Sequence, residues 1–229
     1  MLIPLIRGLG LSLTDATATS GGGDFIGMKN YADLLRDRDF YLALKNTFIL
    51  ILVIPLLLNG IALILAFLLT QVKLRESGFY RFLFFFPSII SATAMGVLWS
   101  NVFSPTMGFL KKLGEAFGVE AWEKVAPLGD KHLVLIAVII AMVLQSAGYY
   151  MVMYIASIDG IDTSVFEAAT LDGCGIWKKI IYITLPILRN MIGVTIVLSL
   201  SGTLGLSYVI TSVMTKGGPA GAATVILYY

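Results

Sequence analysis

The sequence holds one cysteine, Cys174, and one histidine, His132, among 229 residues. A single cysteine excludes an intrachain disulfide and a thiolate metal cluster. His132 opens an apolar run, where an interfacial or packing position is the plain reading, and no metal site is expected. No Gly-x-x-x-x-Gly-Lys-Ser/Thr loop is present, so any nucleotide chemistry sits on another chain. Charged residues are scarce, 13% of the chain, against about a quarter in soluble domains. The net charge of +2 gives no strong pull toward nucleic acid or acidic partners. The stretch from Met1 to Leu13 is apolar but short and broken by Arg7. It lacks the charged start and cleavage site of a secretory signal, and reads as the tail of a membrane helix whose beginning is missing.

What the chain has in excess is apolar length. Hydrophobic residues make up 58% of it. They gather in blocks of roughly 20 to 28 residues, the length a helix needs to cross a hydrocarbon core. A β-barrel would show short alternating segments instead. The expected class is therefore an all-α, polytopic transmembrane helix bundle, a single domain over 1–229. Full spans are expected at about 46–70, 81–103, 132–156 and 187–214. Pro55 and Pro87 lie inside two of them and predict kinks. Residues 14–45 read as a solvated loop carrying Gly21-Gly22-Gly23, with a short surface helix near the charged run Asp33–Asp39. Links follow at 71–80, with Lys73, Arg75 and Glu76, and at 104–131. Val225 to Tyr229 reads as the start of another span. Lys and Arg counts in alternate links do not fix the orientation.

The segment 157–186 is the polar interruption between the last two full spans. Ser164-Val165-Phe166-Glu167 fits a capping box, with Ser164 at the N-cap and Glu167 reaching back. A helix then runs to about Leu171, and Gly173 allows the left-handed turn that ends it. A second short helix starts near Gly175, with Trp177, Ile180, Ile181 and Thr184 on one face. Pro186 suits the first turn of the next span. On physical grounds two readings stand level: a mere connector, or a smooth alanine surface with acidic groups that packs into a partner's groove.

Glu167-Ala168-Ala169, three residues, Gly173, nine residues, then Ile183-Thr184-Leu185-Pro186 resembles the signature loop of the membrane subunits of binding-protein-dependent ABC importers. Phe25-Ile26-Gly27, Asn30-Tyr31 and Asn46-Thr47 are similar to the first outer loop of the carbohydrate-uptake permeases. Phe86-Pro87 with Trp99 resembles their third span, and Thr215-Lys216-Gly217-Gly218-Pro219 a later outer loop. Three positions depart from the pattern: Cys174 for alanine, Asp162 for proline, where it could act as the cap instead, and Tyr208-Val209 for a Phe-Asp pair.

The resemblance implies a type I ABC importer permease fold in a bacterial cytoplasmic membrane, with six core spans, the first and last truncated here. It implies that 157–186 is a cytoplasmic coupling loop. Glu167 and Asp172 would be its polar contacts to an ATP-binding subunit dimer, and Ala168, Ala169 and Gly173 would give it close fit. The other implied partners are a second permease subunit, an extracytoplasmic solute-binding protein and the lipid bilayer, with no nucleic acid. The chain would not be an enzyme and would hold no cofactor, ATP and Mg²⁺ being bound by the partner. Its solute would be a sugar or a related compound such as a glycerol phosphate. Gln145, Ser146 and Tyr149 on one span and Thr203 and Ser207 on the next are the candidate solute pathway, because polar groups in spans face the bundle interior. Interhelical hydrogen bonding is the competing role for them. A membrane scaffold without transport is the alternative function. An intramembrane hydrolase is excluded, since the spans cluster no His, Asp or Glu.

Overall fold

A long apolar block in lipid can satisfy its backbone only through intrahelical hydrogen bonds, and these blocks fold accordingly. The computed structural model describes residues 2–17, 23–72, 76–104, 108–109, 112, 114 and 127–229. Most of the expected link 104–131 lies outside the described residues, as do Gly21, Gly22, Lys73 and Arg75. The named elements are all helical. In chain order they are α1 (Leu2–Leu11), α2 (Lys29–Leu34), α3 (Arg38–Gln71), α4 (Ser77–Ile89), α5 (Ala92–Val102) and α6 (Val134–Asp159). There follow α7 (Thr163–Leu171), α8 (Ile176–Lys179), one wide i→i+5 turn (Ile180–Thr184), α9 (Leu185–Ile187) and α10 (Arg189–Met214).

The chain divides into two compact units, Met1–Leu42 and Ala43–Tyr229. In the first, an isolated antiparallel bridge between Thr14 and Phe25 closes the loop after α1. Asn30 on α2 donates to the carbonyls of Ser12 and Thr14, each at 2.9 Å. Tyr31 shares a 2.7 Å hydrogen bond with Ser12. The short helix expected in this polar stretch is α2, and its Asn-Tyr pair clamps the loop.

The second unit holds the membrane-length helices. Among the described residues three helices, α3, α6 and α10, are long and apolar enough to cross a membrane. The expected span over 81–103 is not continuous. It breaks into α4 and α5, which meet at 99°. Pro87 has no N–H to give the preceding turn, and Ile90 is extended (φ −72°, ψ 139°). Ser91 then opens a new helix by accepting from Ala94 N at 3.3 Å. Pro55 lies inside α3 without ending it. The difference is downstream: no new cap follows Pro55, and Asn59 donates back to its carbonyl at 2.7 Å.

α6 is the centre of the unit. Its apolar stretch is 61% buried, against 33% for α3 and 22% for α10. α4, α5 and α10 all pack against it, and α5 also packs on α10. Gly148 is what brings α4 close. A Cβ there would overlap the Phe84 carbonyl oxygen and lie 2.6 Å from its carbon, so the two helices touch backbone to backbone, as small residues allow in membranes. A hydrogen-bond network links α3, α6 and α10: Asn59 donates to Ser199 at 3.0 Å, and Tyr154 donates to Asn59 at 2.7 Å and shares a bond with Thr195.

The tail beyond α10 folds back on α3. Asn46 donates to the carbonyls of Ala222 and Thr224, each at 3.0 Å, and Ile226 N donates to Thr47 at 2.8 Å. Residues 226–228 are in turn conformation, closed by bonds from the Tyr228 and Tyr229 amides to the Val225 carbonyl at 2.9 and 3.0 Å.

Gly148→Ala is expected to push α4 off α6 at a cost of about 1–3 kcal/mol, lowering the Tm of the detergent-solubilised protein. Gly60→Ala, where an added Cβ meets nothing within 4 Å, should leave the Tm unchanged or raised. Equal Tm values for the two variants would refute the backbone contact.

Candidate functional site

Local stop and start signals build the polar segment. Asp162 is the N-cap of α7, accepting from Ser164 N at 2.9 Å. Hydrogen bonds from the backbone and then the side chain of Ser164 hold its carboxyl below the usual carboxylate range. The cap therefore stands two residues before the expected Ser164, which lies inside the first turn. Glu167 does not reach back as a cap and is exposed. A carboxylate already placed to accept the free N–H of that turn leaves the hydroxyl no capping task.

The end of α7 follows its sequence. Gly173 has φ +75°. Cys174 N donates to Ala169 O at 2.9 Å and Gly173 N to Thr170 O at 3.0 Å, the paired bonds that close a helix on a left-handed residue. A Cβ at Gly173 would meet nothing within 4 Å, so the backbone angle, not space, selects glycine. Gly175 precedes α8, as expected. Lys179 then ties α8 to α7 with a 2.7 Å bond to Thr170.

The second helix departs from its expected face. Ile180 and Thr184 are buried, whereas Trp177 is 75% exposed and Ile181 51%. From Ile180 on, the wide turn takes the side chains off the regular helical period. Thr184 marks it by donating to Lys179 O, five residues back, at 3.2 Å. Pro186 falls in α9, at the head of the short stretch before α10.

Four of the five coupling residues, Glu167, Ala168, Asp172 and Gly173, are exposed, and Ala169 is buried. Leu171 stands among them with 89% of its surface exposed. The sequence reading treated it only as a helix end. Behind α7 a cleft of about 460 Å³ opens toward the ends of α3 and α6, lined in part by Thr70, Asp159, Phe166, Glu167 and Lys179. Arg81 and Asp159 pair across 3.7 Å beside it, both partly exposed.

The five pathway residues do not form one surface. Gln145 is buried and donates to Ile90 O at 3.4 Å, at the elbow between α4 and α5. Its carbonyl oxygen has no partner among the described residues. Ser146 is half-buried and Tyr149 is exposed. Thr203 and Ser207 are buried, their hydroxyls spent on the carbonyls of Ser199 and Leu204. They belong to a longer stripe, Thr195, Ser199, Thr203, Ser207 and Thr211, all buried. The four-residue period of that stripe is visible in the sequence, although only two of its members were singled out. Asn59 and Tyr154 were missed, since nothing local says that their side chains meet.

Residues 23–228 match the family model of the binding-protein-dependent transport system inner membrane component. The chain belongs to this family. It is 35% identical over 227 residues to the probable ABC transporter permease protein YurN of Bacillus subtilis (strain 168), covering 98% of this chain and 76% of YurN. It is 35% identical over 234 residues to the lactose transport system permease protein LacF of Rhizobium radiobacter, covering 100% of this chain and 76% of LacF. The fold matches that of a bacterial ABC transporter involved in the import of the acidic polysaccharide alginate, with a TM-score of 0.82 and 24% identity over 100% of this chain and 80% of the other. That likeness speaks to the fold alone, and the fold is the all-α permease bundle expected. The protein is thus an inner-membrane permease component of a binding-protein-dependent transport system.

Two local changes test the permease's polar segment. Gly173→Ala should cost about 1 kcal/mol of local stability through the left-handed angle, seen as faster amide exchange at Gly173 and Cys174 with an unchanged global Tm. The lowered pKa of Asp162 means that its cap is fully present above the unfolded carboxylate range and is lost as pH falls through the folded value. Asp162→Asn, which still accepts a hydrogen bond, should protect the Ser164 amide better than wild type at acid pH. Identical acid protection in the two proteins would show that the carboxyl is not the cap.

Proposed function

We propose that this permease is one half of the membrane pathway of an ATP-driven sugar importer, with α7 as the element that couples it to ATP hydrolysis. One observation carries the reading: α7 presents Glu167, Ala168, Asp172 and Gly173 to solvent, outside every membrane-length helix. An exposed acidic residue beside an alanine suits close packing into a cleft lined by basic groups. The partners in this reading are an ATP-binding subunit dimer, which holds ATP and Mg²⁺, a second permease and an extracytoplasmic solute-binding protein. The permease itself hydrolyses nothing. Closure of the ATPase pair moves α7, and the helices tied to it shift between inward-open and outward-open populations.

The sugar assignment draws on LacF, which serves lactose transport by its name. Among the pathway residues, the exposed ring of Tyr149 and the Gln145 carbonyl, which has no partner among the described residues, suit a sugar better than Thr203 and Ser207, whose hydroxyls are already engaged.

Glu167→Lys should insert normally and yet retain roughly tenfold less ATP-binding subunit on co-purification in mild detergent, the effect of about 1.4 kcal/mol. Normal assembly and normal uptake in that variant would sink the coupling role. Tyr149→Ala should lower uptake of labelled disaccharide several-fold while ATPase association stays intact, and unchanged uptake would remove Tyr149 from the pathway.

A further inference from the structure

The transport reading leaves one face outside the spans without a role. Trp177 and Tyr182 are each 75% exposed, and Ile176 and Ile181 are about half exposed. They lie on α8 and the wide turn, whose opposite side, Ile180 and Thr184, is buried with Leu188 beyond it. The outward face continues along the chain through Leu185 and Ile187 to Val194 and Val197 on α10, all exposed and apolar. From Gly173 to Asn190 the sequence carries Lys178, Lys179 and Arg189 and no acidic residue. Lys179 is engaged by Thr170, while Lys178 and Arg189 are exposed and make no ion pair among the described residues.

Tryptophan and tyrosine combine an apolar body with a polar tip and settle at the headgroup level of a bilayer. Basic side chains free of acidic neighbours are drawn to anionic lipid. A face with both, followed along the chain by exposed apolar residues of a membrane-length helix, has the chemistry of an interfacial anchor. We propose that Ile176–Thr184 lies along the headgroup layer, with Trp177, Ile181 and Tyr182 at the hydrocarbon boundary and Lys178 and Arg189 toward anionic lipid phosphates. The bond between Lys179 and Thr170 passes this anchor to α7 and sets the depth at which α7 stands from the membrane. The anchor rests on the inner-membrane assignment of the family and not on ATPase docking, so either can fail without the other.

The test places a photo-crosslinking phenylalanine derivative at position 177, 182 or 197, one at a time, in the assembled transporter in bacterial membranes. Adducts are identified by mass spectrometry. Phospholipid adducts at 177 and 182, at yields within about twofold of those at the exposed apolar position 197 of α10, are the expected result. Adducts to another polypeptide at 177 and 182 would overturn the proposal, and so would absence of adducts there while position 197 gives lipid. Lys178→Gln in the 177 background should lower the share of phosphatidylglycerol among the lipid adducts about twofold. An unchanged share would remove the anionic headgroup from the proposal, and the lipid yield at position 197 reports whether the variant still inserts.

Discussion

The bundle of the second unit depends on a few polar side chains that meet where no water reaches. Asn59, Tyr154, Thr195 and Ser199 come from three different helices and satisfy one another. Each such bond in a membrane is worth only about 0.6 kcal/mol on average. Their weight lies in the alternative, since sliding α3 or α10 past α6 would leave buried donors and acceptors unpaired. Apolar side chains on these helices find lipid as acceptable as protein, so contact between them specifies no register. The network supplies it.

Around that fixed point the helices approach by different means. α4 comes close because Gly148 offers no side chain. α10 presents its small hydroxyl stripe, of which Thr195, Ser199, Thr203 and Ser207 bond their own backbone and leave a low surface. The elbow between α4 and α5 leaves the Ile90 carbonyl outside regular helix, and Gln145 of α6 answers it. Central helix, elbow and stripe pack into one body, and only three residues separate the end of α6 from the start of α7.

The coupling segment shows how far local chemistry reaches. Its helix, its left-handed stop at Gly173 and its restart after Gly175 were legible, because each depends on one or two residues acting on their neighbours. The cap had two candidates, Ser164 and Asp162, because both offer an oxygen at almost the same place, and only the geometry of the first turn chooses Asp162. The face of the second helix was misread for a stronger reason. A regular period was assumed, and the wide turn over Ile180–Thr184 breaks it. Ile180 and Thr184 are buried while Trp177 is exposed, a choice made by packing against the bundle.

By itself the sequence determined the class of the protein, the place of its membrane-length helices and the polar segment that separates the last two. Hydrophobic length and turn chemistry are local quantities and act before any packing. Tertiary structure alone decided which polar residues of the spans are spent inside the bundle, as Thr203 and Ser207 are. It also decided that Pro87 marks a 99° elbow where Pro55 leaves a continuous helix. The reason is common to both: the free energy of a polar group or a broken turn in a membrane depends on which partner stands opposite, and that partner comes from a distant part of the chain.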